Sequence, residues 1–94
     1  MSILHHITTS PSDSNALACA IRFSHKADTL LLAGNAINAL LLPQWREKLQ
    51  GHHVCVMQQD VVARGLSSLL DTYQTIDYAA FVALTFTHSK VISW

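Results

Sequence analysis

The residue types best suited to sulfur or metal chemistry in this chain are two cysteines, Cys19 and Cys55, and six histidines. His53 stands two residues before Cys55, and residues two apart in a strand share a face, so this pair could bind one metal ion. The neighbours His5 and His6 would point to opposite faces of a strand, and neither C-x-x-C nor H-x-x-x-H spacing occurs. The sequence therefore favours neither a metal site nor a cofactor.

Each cysteine could act as a nucleophile if its surroundings stabilised the thiolate. Cys55 lies in "HVCVMQ", shortly before a helix predicted to have Asp60 as its N-cap, and the N-terminus of that helix could lower the pKa of the thiol. The competing interpretation is a buried, inert thiol. Cys19 lies within the predicted first helix with Ala16 and Phe23 on its side, so we expect it to pack. Both cysteines are retained as candidates, and we expect neither to be catalytic.

The composition describes a small and weakly charged domain. The chain has 94 residues, enough for one domain with a modest core. Hydrophobic residues make up 50% and charged residues 13% of the chain, whereas an ordinary soluble domain has about 25% charged residues. Six Lys and Arg residues balance six Asp and Glu residues, so there is no positive field to attract a nucleic-acid backbone. We therefore do not expect this chain alone to bind nucleic acid directly, and the low net charge favours association.

Signals for export or membrane insertion are missing from the sequence. The opening "MSILHHITTSPSDS" has no basic region and only a short apolar stretch. The most apolar run, "LLLAGNAINALLLP", contains Asn35 and Asn38 and stops at Pro43, well short of the about 20 apolar residues that span a bilayer. We therefore expect a cytoplasmic protein without a membrane partner, in which the two cysteines form no disulfide framework.

Strand-like and helix-like segments alternate along the chain. The predicted strands are 2–7, "DTLLLAG", "HHVCVMQ", "TYQTI" and "KVISW", and the predicted helices are about 15–25, "NAINALLL", "PQWREKLQG", "DVVARG" and the segment after Asp77. This alternation predicts an α/β fold, a three-layer α/β/α domain with a small, mostly parallel sheet of about five strands. None of the three glycines stands in a phosphate-loop pattern.

The closing segment "IDYAAFVALTFTHSKVISW" is apolar on more sides than one sheet can cover. Asp77 is a natural N-cap, and Ile76 and Phe81 could form a hydrophobic staple that marks Phe81 as inward-facing. From Tyr78 to Thr87 there is no charge. A helix that is apolar all round is buried on more than one side, so we expect another chain to cover the rest. The expected subunit-interface residues are Tyr78, Val82, Phe86 and Trp94.

Four stretches of the chain together resemble a known family: "MSILHHITTSP", "LLLAGNAINALL", "DVVARGL" and "IDYAAFVALTFTHSKVISW". They are similar to the B/H-type subunit of the DsrE/DsrF/DsrH superfamily, the TusB-like sulfur-relay proteins. The resemblance runs essentially end to end, so the chain is identified as a single DsrH/TusB-like domain over residues 1–94. Its most specific part is the tail pattern I-D-Y-x-x-F-V-x-L-T with a closing Trp.

The resemblance implies a small α/β fold and a place in an assembly. In the Tus branch, such subunits join C-type and D-type paralogues in a heterohexamer that passes persulfide sulfur toward 2-thiolation of the tRNA wobble uridine. The resemblance also implies that the sulfur-carrying cysteine belongs to the D-type subunit, that the B-type subunit is structural, and that this chain contacts tRNA only indirectly. In the sulfur-oxidising branch, H-type subunits carry a cysteine in the first helix, about one residue from Cys19. Cys55 lies on the strand that presents the D-type cysteine, but neither match transfers a catalytic role.

Three functions remain open at this point. The chain is a non-catalytic subunit of a sulfur-relay complex, or an active persulfide carrier in sulfur oxidation through Cys19 or Cys55, or a standalone homo-oligomeric binding domain. Thiol reactivity separates the first two, and co-purification with C-type and D-type partners separates both from the third. The choice between tRNA thiolation and sulfur oxidation is not made by the sequence.

Overall fold

The computed structural model describes residues 2–94, in which strands and helices alternate as the sequence predicts. The strands are β1 (Ile3–Ile7), β2 (Thr29–Leu32), β3 (His53–Met57), β4 (Gln74–Ile76) and β5 (Lys90–Ser93). The helices are α1 (Ala16–Phe23), a 3₁₀ helix (Gly34–Leu41), α2 (Pro43–Lys48), α3 (Gln58–Ala63) and α4 (Tyr78–Thr87). None of the helices formed by residues 2–94 is long and apolar enough to cross a membrane.

The five strands form one parallel sheet in the order β4-β3-β2-β1-β5. Strand β1 pairs on one side with β2, where Leu4 lies opposite Thr29, and on the other side with β5, where Leu4 lies opposite Val91. The first four strands follow one another across the sheet, and the chain then crosses back through α4 to place β5 beside β1. This arrangement confirms the predicted α/β fold class.

The larger of two core clusters lies on the first face of the sheet. Leu30 and Leu32 of β2 and Val56 of β3 point to this face, because alternate residues of a strand share a face. Helices α1 and α3 pack on it through Leu17 and Val61, and the 3₁₀ helix packs on it through several buried residues. Burying one side chain of this kind is worth about 1.5–3 kcal/mol, so this cluster provides most of the hydrophobic stabilisation. Its fully buried large members include Ile7, Leu17, Leu30, Leu32, Ile37, Leu40, Val56, Val61 and Leu70.

The smaller cluster lies on the second face of the sheet, and among residues 2–94 only α4 packs against it. Phe81 and Leu84 of α4 are partly buried there. One helix thus covers a face of a five-stranded sheet, which leaves the second face much less protected than the first. The buried members of this cluster are Leu4, Leu31, Ala33, Cys55, Met57 and Ile76.

The start of α4 forms as the sequence predicts. The Asp77 side chain accepts a hydrogen bond from the backbone N–H of Ala80 at 2.8 Å, which satisfies one of the helix's unpaired donors. Ile76 is buried in the same cluster against which Phe81 packs, as expected of a hydrophobic staple.

Two local predictions are wrong. Asp60 lies inside α3 rather than capping it, because β3 runs directly into this helix at Met57. The Asp60 carboxylate instead accepts the backbone N–H of Gly34 at 2.9 Å, across the sheet edge at the start of the 3₁₀ helix. Phe23, assigned to the buried side of α1, is 62% exposed. It lies at the last turn of that helix, where its ring meets the Trp94 ring with centroids 5.9 Å apart.

Candidate functional site

The outer surface of α4 is an uncharged apolar stripe. No residue of this helix is fully buried. Tyr78, Val82 and Phe86 follow one another at i, i+4 spacing and are 63%, 36% and 83% exposed. Ala79 and Ala83 stand between them and are also exposed. We call these five residues the outer stripe, and it is an apolar helical surface open to a partner.

The opposite side of α4 faces the sheet. The Phe81 ring lies 5.5 Å from the ring of His6 in β1 and 6.2 Å from the ring of Tyr78, measured between centroids. Leu84, three residues further on, packs on the same cluster as Phe81. The helix therefore divides as the sequence indicates, with Phe81 inward and Phe86 outward. That the outer stripe contacts another chain stays a prediction.

Trp94 lies on the other face of the sheet. Its indole packs against the larger core cluster, and its N–H donates a hydrogen bond to Nδ1 of His5 at 3.0 Å. His5 alternates with Leu4, which belongs to the cluster beneath α4, so the two side chains point to opposite faces. The four expected subunit-interface residues are thus distributed over two faces of the sheet, and the role of Trp94 in assembly stays a prediction.

His5 joins Trp94 to a buried carboxylate. The His5 side chain is fully buried, and its Nε2 lies 3.0 Å from Oδ2 of Asp28. An indole N–H can only donate, so Nδ1 carries no proton in this arrangement and Nε2–H donates to Asp28. Burial alone would raise the pKa of Asp28, but hydrogen bonds from His5 and from the backbone N–H groups of His25 and Ile3 outweigh it and lower that pKa. The network is interior, because the side chains of His5 and Asp28 are 0% and 1% exposed.

Cys55 occupies a buried and unactivated position. Its side chain is 1% exposed beneath α4, and burial raises the pKa of the thiol, so the thiol is protonated at neutral pH. The backbone enters α3 only after Met57, two residues further along. The N-terminus of α3 therefore does not activate Cys55, and its nearest polar contact is the Gln74 amide oxygen at 3.7 Å from Sγ.

Cys19 is exposed, and the expectation that it packs is wrong. The buried side of α1 is formed by Leu17 and Ala20. Cys19 lies two positions after Leu17, about 200° around the helix, so its thiol points away from the core. The accessible thiol of this chain is therefore the one on α1.

A chain of side-chain hydrogen bonds runs beneath the end of α4. Nδ1 of His88 lies 2.8 Å from the carbonyl oxygen of Leu84, which can only accept, so this nitrogen carries the proton. Nε2 of His88 then accepts from the Thr29 hydroxyl at 2.9 Å, and Nδ1 of His53 lies 3.3 Å from the same hydroxyl oxygen. Nε2 of His53 lies 3.2 Å from Oε1 of Gln74. Both nitrogens of His53 are thus engaged with protein groups, and residues 2–94 hold no group of three or more metal-ligating side chains.

An open cavity of about 380 Å³ lies at the carboxyl ends of the first three strands. Beside this cavity, the connection after β3 runs over the first face through α3, and the connection after β4 runs over the second face through α4. Open α/β sheets commonly bind ligands at such a change of face. Burial lowers the pKa of His6 in its wall, and the charge of Asp60 partly opposes that shift. The cavity is lined by His6, Thr8, Ala33, Gly34, Met57, Asp60, Tyr78 and Phe81.

Comparison with known proteins gives the family. The model of the family described as "DsrH like protein" matches residues 9–91. Protein TusB of Shigella flexneri is 31% identical over 96 residues, and the match covers 98% of this chain and 100% of that protein. The chain therefore belongs to the DsrH-like family, which confirms the assignment made from the sequence motifs to TusB/DsrH-type subunits of the sulfur-relay superfamily.

Sequence reasoning did not identify the residues of the cavity or the network around His5. The cavity could have been anticipated, because the ends of parallel strands meet at one edge, which would have grouped His6 with Gly34 and Met57. For the network, the sequence carries no signal that pairs His5 with Asp28, since both residue types are usually exposed.

Proposed function

We propose that this chain is a non-catalytic subunit of a cytoplasmic sulfur-relay complex that passes persulfide sulfur toward 2-thiolation of the tRNA wobble uridine. It acts as one DsrH-like domain over residues 1–94 and joins C-type and D-type paralogues in a heterohexamer. The observation that carries the proposal is the outer stripe, in which Tyr78, Val82 and Phe86 are exposed on a helix without any charge.

The energetics of the outer stripe favour a protein partner. Burying one large apolar side chain is worth about 1.5–3 kcal/mol, and Phe86 alone leaves 83% of its accessible surface to solvent. Monomeric soluble proteins rarely leave an apolar patch uncovered. Val91 is 41% exposed on the same face of the sheet, since its neighbour Leu4 packs beneath α4. The apolar surface thus extends from the helix toward the edge strand, as a subunit contact requires.

The state of the two thiols supports a structural role. The thiol of Cys55 is buried and protonated, so it is a poor nucleophile for sulfur transfer. Cys19 is exposed, but it lies within α1 rather than at a helix N-terminus that would stabilise a thiolate. In this proposal, sulfur travels on the cysteine of a partner, and this chain holds that partner in place.

The test is reconstitution with the C-type and D-type paralogues of the same genome. We expect the three chains to co-purify, and we expect transfer of radiolabelled persulfide sulfur through the complex to depend on this chain. The same complex carrying Cys19→Ser and Cys55→Ala together should transfer sulfur at an unchanged rate. A chain that does not co-purify, while the other two transfer sulfur without it, would contradict the proposal.

A second candidate function is favoured by the exposure of Cys19. An accessible thiol on α1 is the feature that an active persulfide carrier in sulfur oxidation would need. In that case the single Cys19→Ser variant would abolish sulfur transfer while the complex stays assembled.

A standalone homo-oligomer would instead bind its own copies through the outer stripe and would not bind the paralogues. Size-exclusion chromatography of the mixed chains distinguishes this case from the other two.

A further inference from the structure

A second open cleft lies at the amino ends of the strands, opposite the cavity at their carboxyl ends. It has a volume of about 380 Å³ and is formed where α2 and the segment before β4 approach the start of β3. We call it the amino-end cleft. It is lined by Arg46, Leu49, Gln50, Gly51, His52, His53, Val54, Thr72, Tyr73 and Gln74, which include a guanidinium and two imidazoles but no carboxylate.

Arg46 is the fixed positive charge of the amino-end cleft, and the protein holds it in place. Its Nε donates to the carbonyl oxygen of Leu40, and its Nη2 donates to that of Leu69 at 3.3 Å. The guanidinium carbon also lies 5.7 Å from the centre of the Tyr73 ring, within the range of a cation–π contact. Among residues 2–94, no carboxylate forms a salt bridge with Arg46. The guanidinium is therefore oriented by neutral groups, and its charge is left without a counter-ion.

The other polar side chains around Arg46 carry no negative charge. Nδ1 of His53 lies 3.3 Å from the Thr29 hydroxyl oxygen and its Nε2 lies 3.2 Å from Oε1 of Gln74, so both ring nitrogens already face protein groups. Nδ1 of His52 is bonded to the Ser24 hydroxyl at 3.1 Å, which fixes the ring at the mouth of the cleft. The Gln50 amide and the Thr72 hydroxyl complete a wall that can offer donors from several directions.

We propose that the amino-end cleft binds a phosphate group, with the Arg46 guanidinium as its charged ligand. A guanidinium without a counter-ion, surrounded by neutral donors and no carboxylate, matches a tetrahedral oxyanion that accepts hydrogen bonds on several sides. The volume of the cleft leaves room for an organic substituent beside the phosphate. The phosphate comes either from a small phosphate ester or from one phosphodiester of an RNA strand. This proposal does not depend on the subunit role argued above.

The test is a titration of the full ¹⁵N-labelled chain, followed by the backbone amide signals in NMR. The probes are inorganic phosphate and a four-nucleotide single-stranded RNA, each compared with sodium chloride at equal ionic strength. We expect saturable shifts at Gly51, His52 and Thr72 with phosphate, and Arg46→Gln should weaken binding by about tenfold or more. Arg22→Gln removes the same charge outside the cleft and should leave the affinity unchanged. Shifts that do not saturate, or that are the same in Arg46→Gln, would overturn the proposal.

A second variant keeps the test valid if Arg46→Gln does not fold, since Arg46 also supports two backbone carbonyls. Gln50→Glu adds a carboxylate to the wall of the cleft and removes no packing, because Gln50 is exposed. It should weaken phosphate binding, whereas Gln44→Glu, an exposed position outside the cleft, should not. Equal effects of the two variants would count against the site.

The two probes identify the source of the phosphate. Tighter binding of the RNA than of phosphate, still dependent on Arg46, would identify a phosphodiester as the source, and equal binding would identify a small phosphate ester.

Discussion

The indole N–H of Trp94 and Nδ1 of His5 form a hydrogen bond of 3.0 Å between residues 89 positions apart. It joins the residue after β5 to the middle of β1, beside the backbone bond of 2.9 Å from Trp94 N–H to the His6 carbonyl. His5 has no exposed surface while Trp94 is in place, so the indole N–H is the donor on which its Nδ1 depends. The bond therefore fixes both the tautomer of His5 and the attachment of β5 to the sheet.

The first prediction concerns that bond. Trp94→Phe leaves Nδ1 of His5 buried without a donor, so we expect the free energy of unfolding to fall by about 1–3 kcal/mol in urea denaturation. Trp45→Phe is the matched control, because Trp45 also packs partly buried against the larger core and its indole N–H bonds no group within residues 2–94. If the two variants lose equal stability, the loss comes from packing and not from the hydrogen bond.

The second prediction is a pH dependence of stability caused by Asp28. The pKa of Asp28 is lower in the folded chain than its ordinary value, so between these two pKa values the unfolded chain binds more protons. The stabilisation is fully present above about pH 4 and is lost as pH falls through the folded pKa. Urea denaturation between pH 2 and pH 6 should show this loss in the natural chain and a shallower one in Asp28→Asn. Asp13→Asn, at an exposed position, should leave the profile unchanged.

The third prediction separates assembly from folding on α4. Phe86→Asp places a charge on the exposed outer stripe, so it should release the chain from its partners in size-exclusion chromatography and leave a cooperative thermal unfolding transition. Phe81→Asp places a charge against the sheet, where it has no partner, and should prevent folding. Val62→Asp is the control, since Val62 is 60% exposed on α3, a helix that packs on the other face of the sheet. A Phe86→Asp chain that stays fully assembled would show that the outer stripe is not the interface.

The fourth prediction concerns the two thiols. A thiol reagent such as 5,5′-dithiobis(2-nitrobenzoic acid) should modify one cysteine of the folded chain rapidly, and that cysteine is Cys19. Cys55 should react only when the chain unfolds, because it is 1% exposed and its thiol pKa is raised by burial. Cys19→Ser should remove the fast phase, and Cys55→Ala should retain it. Rapid reaction of the Cys19→Ser chain would contradict the buried position of Cys55.

The fold was predictable from the sequence because its signals are local. The run "TLLL" is fully buried in β2, as its uninterrupted apolar character indicated, and Asp77 caps α4 as its residue type indicated. The errors occur where a tertiary contact overrides a local preference. Asp60 is a good N-cap by type, yet its carboxylate binds the N–H of Gly34, a partner 26 residues away. The sequence around Asp60 contains no sign of that partner.

The site was predictable only in part, for the same reason. The apolar character of α4 follows from its own ten residues, so the outer stripe could be recognised without a structure. The position of Trp94 could not, because it depends on His5 and Asp28, which are distant in the sequence. The amino-end cleft likewise requires α2 and the segment before β4 to meet. A helical pattern places Arg46 on α2, but nothing in that pattern places it near Tyr73.

Because β1 pairs with β5, the sheet can be completed only after β5 has been synthesised. Ribosomes add roughly 5 to 20 residues per second, so β1 emerges on the order of ten seconds before its second neighbour. During that interval β1 has a free edge with unpaired backbone groups, the kind of edge to which other strands add. During the same interval, Nδ1 of His5 lacks its hydrogen-bond donor, the indole N–H of Trp94. Strand β1 is therefore synthesised well before the sheet around it is complete, and its edge is exposed to other strands until β5 pairs with it.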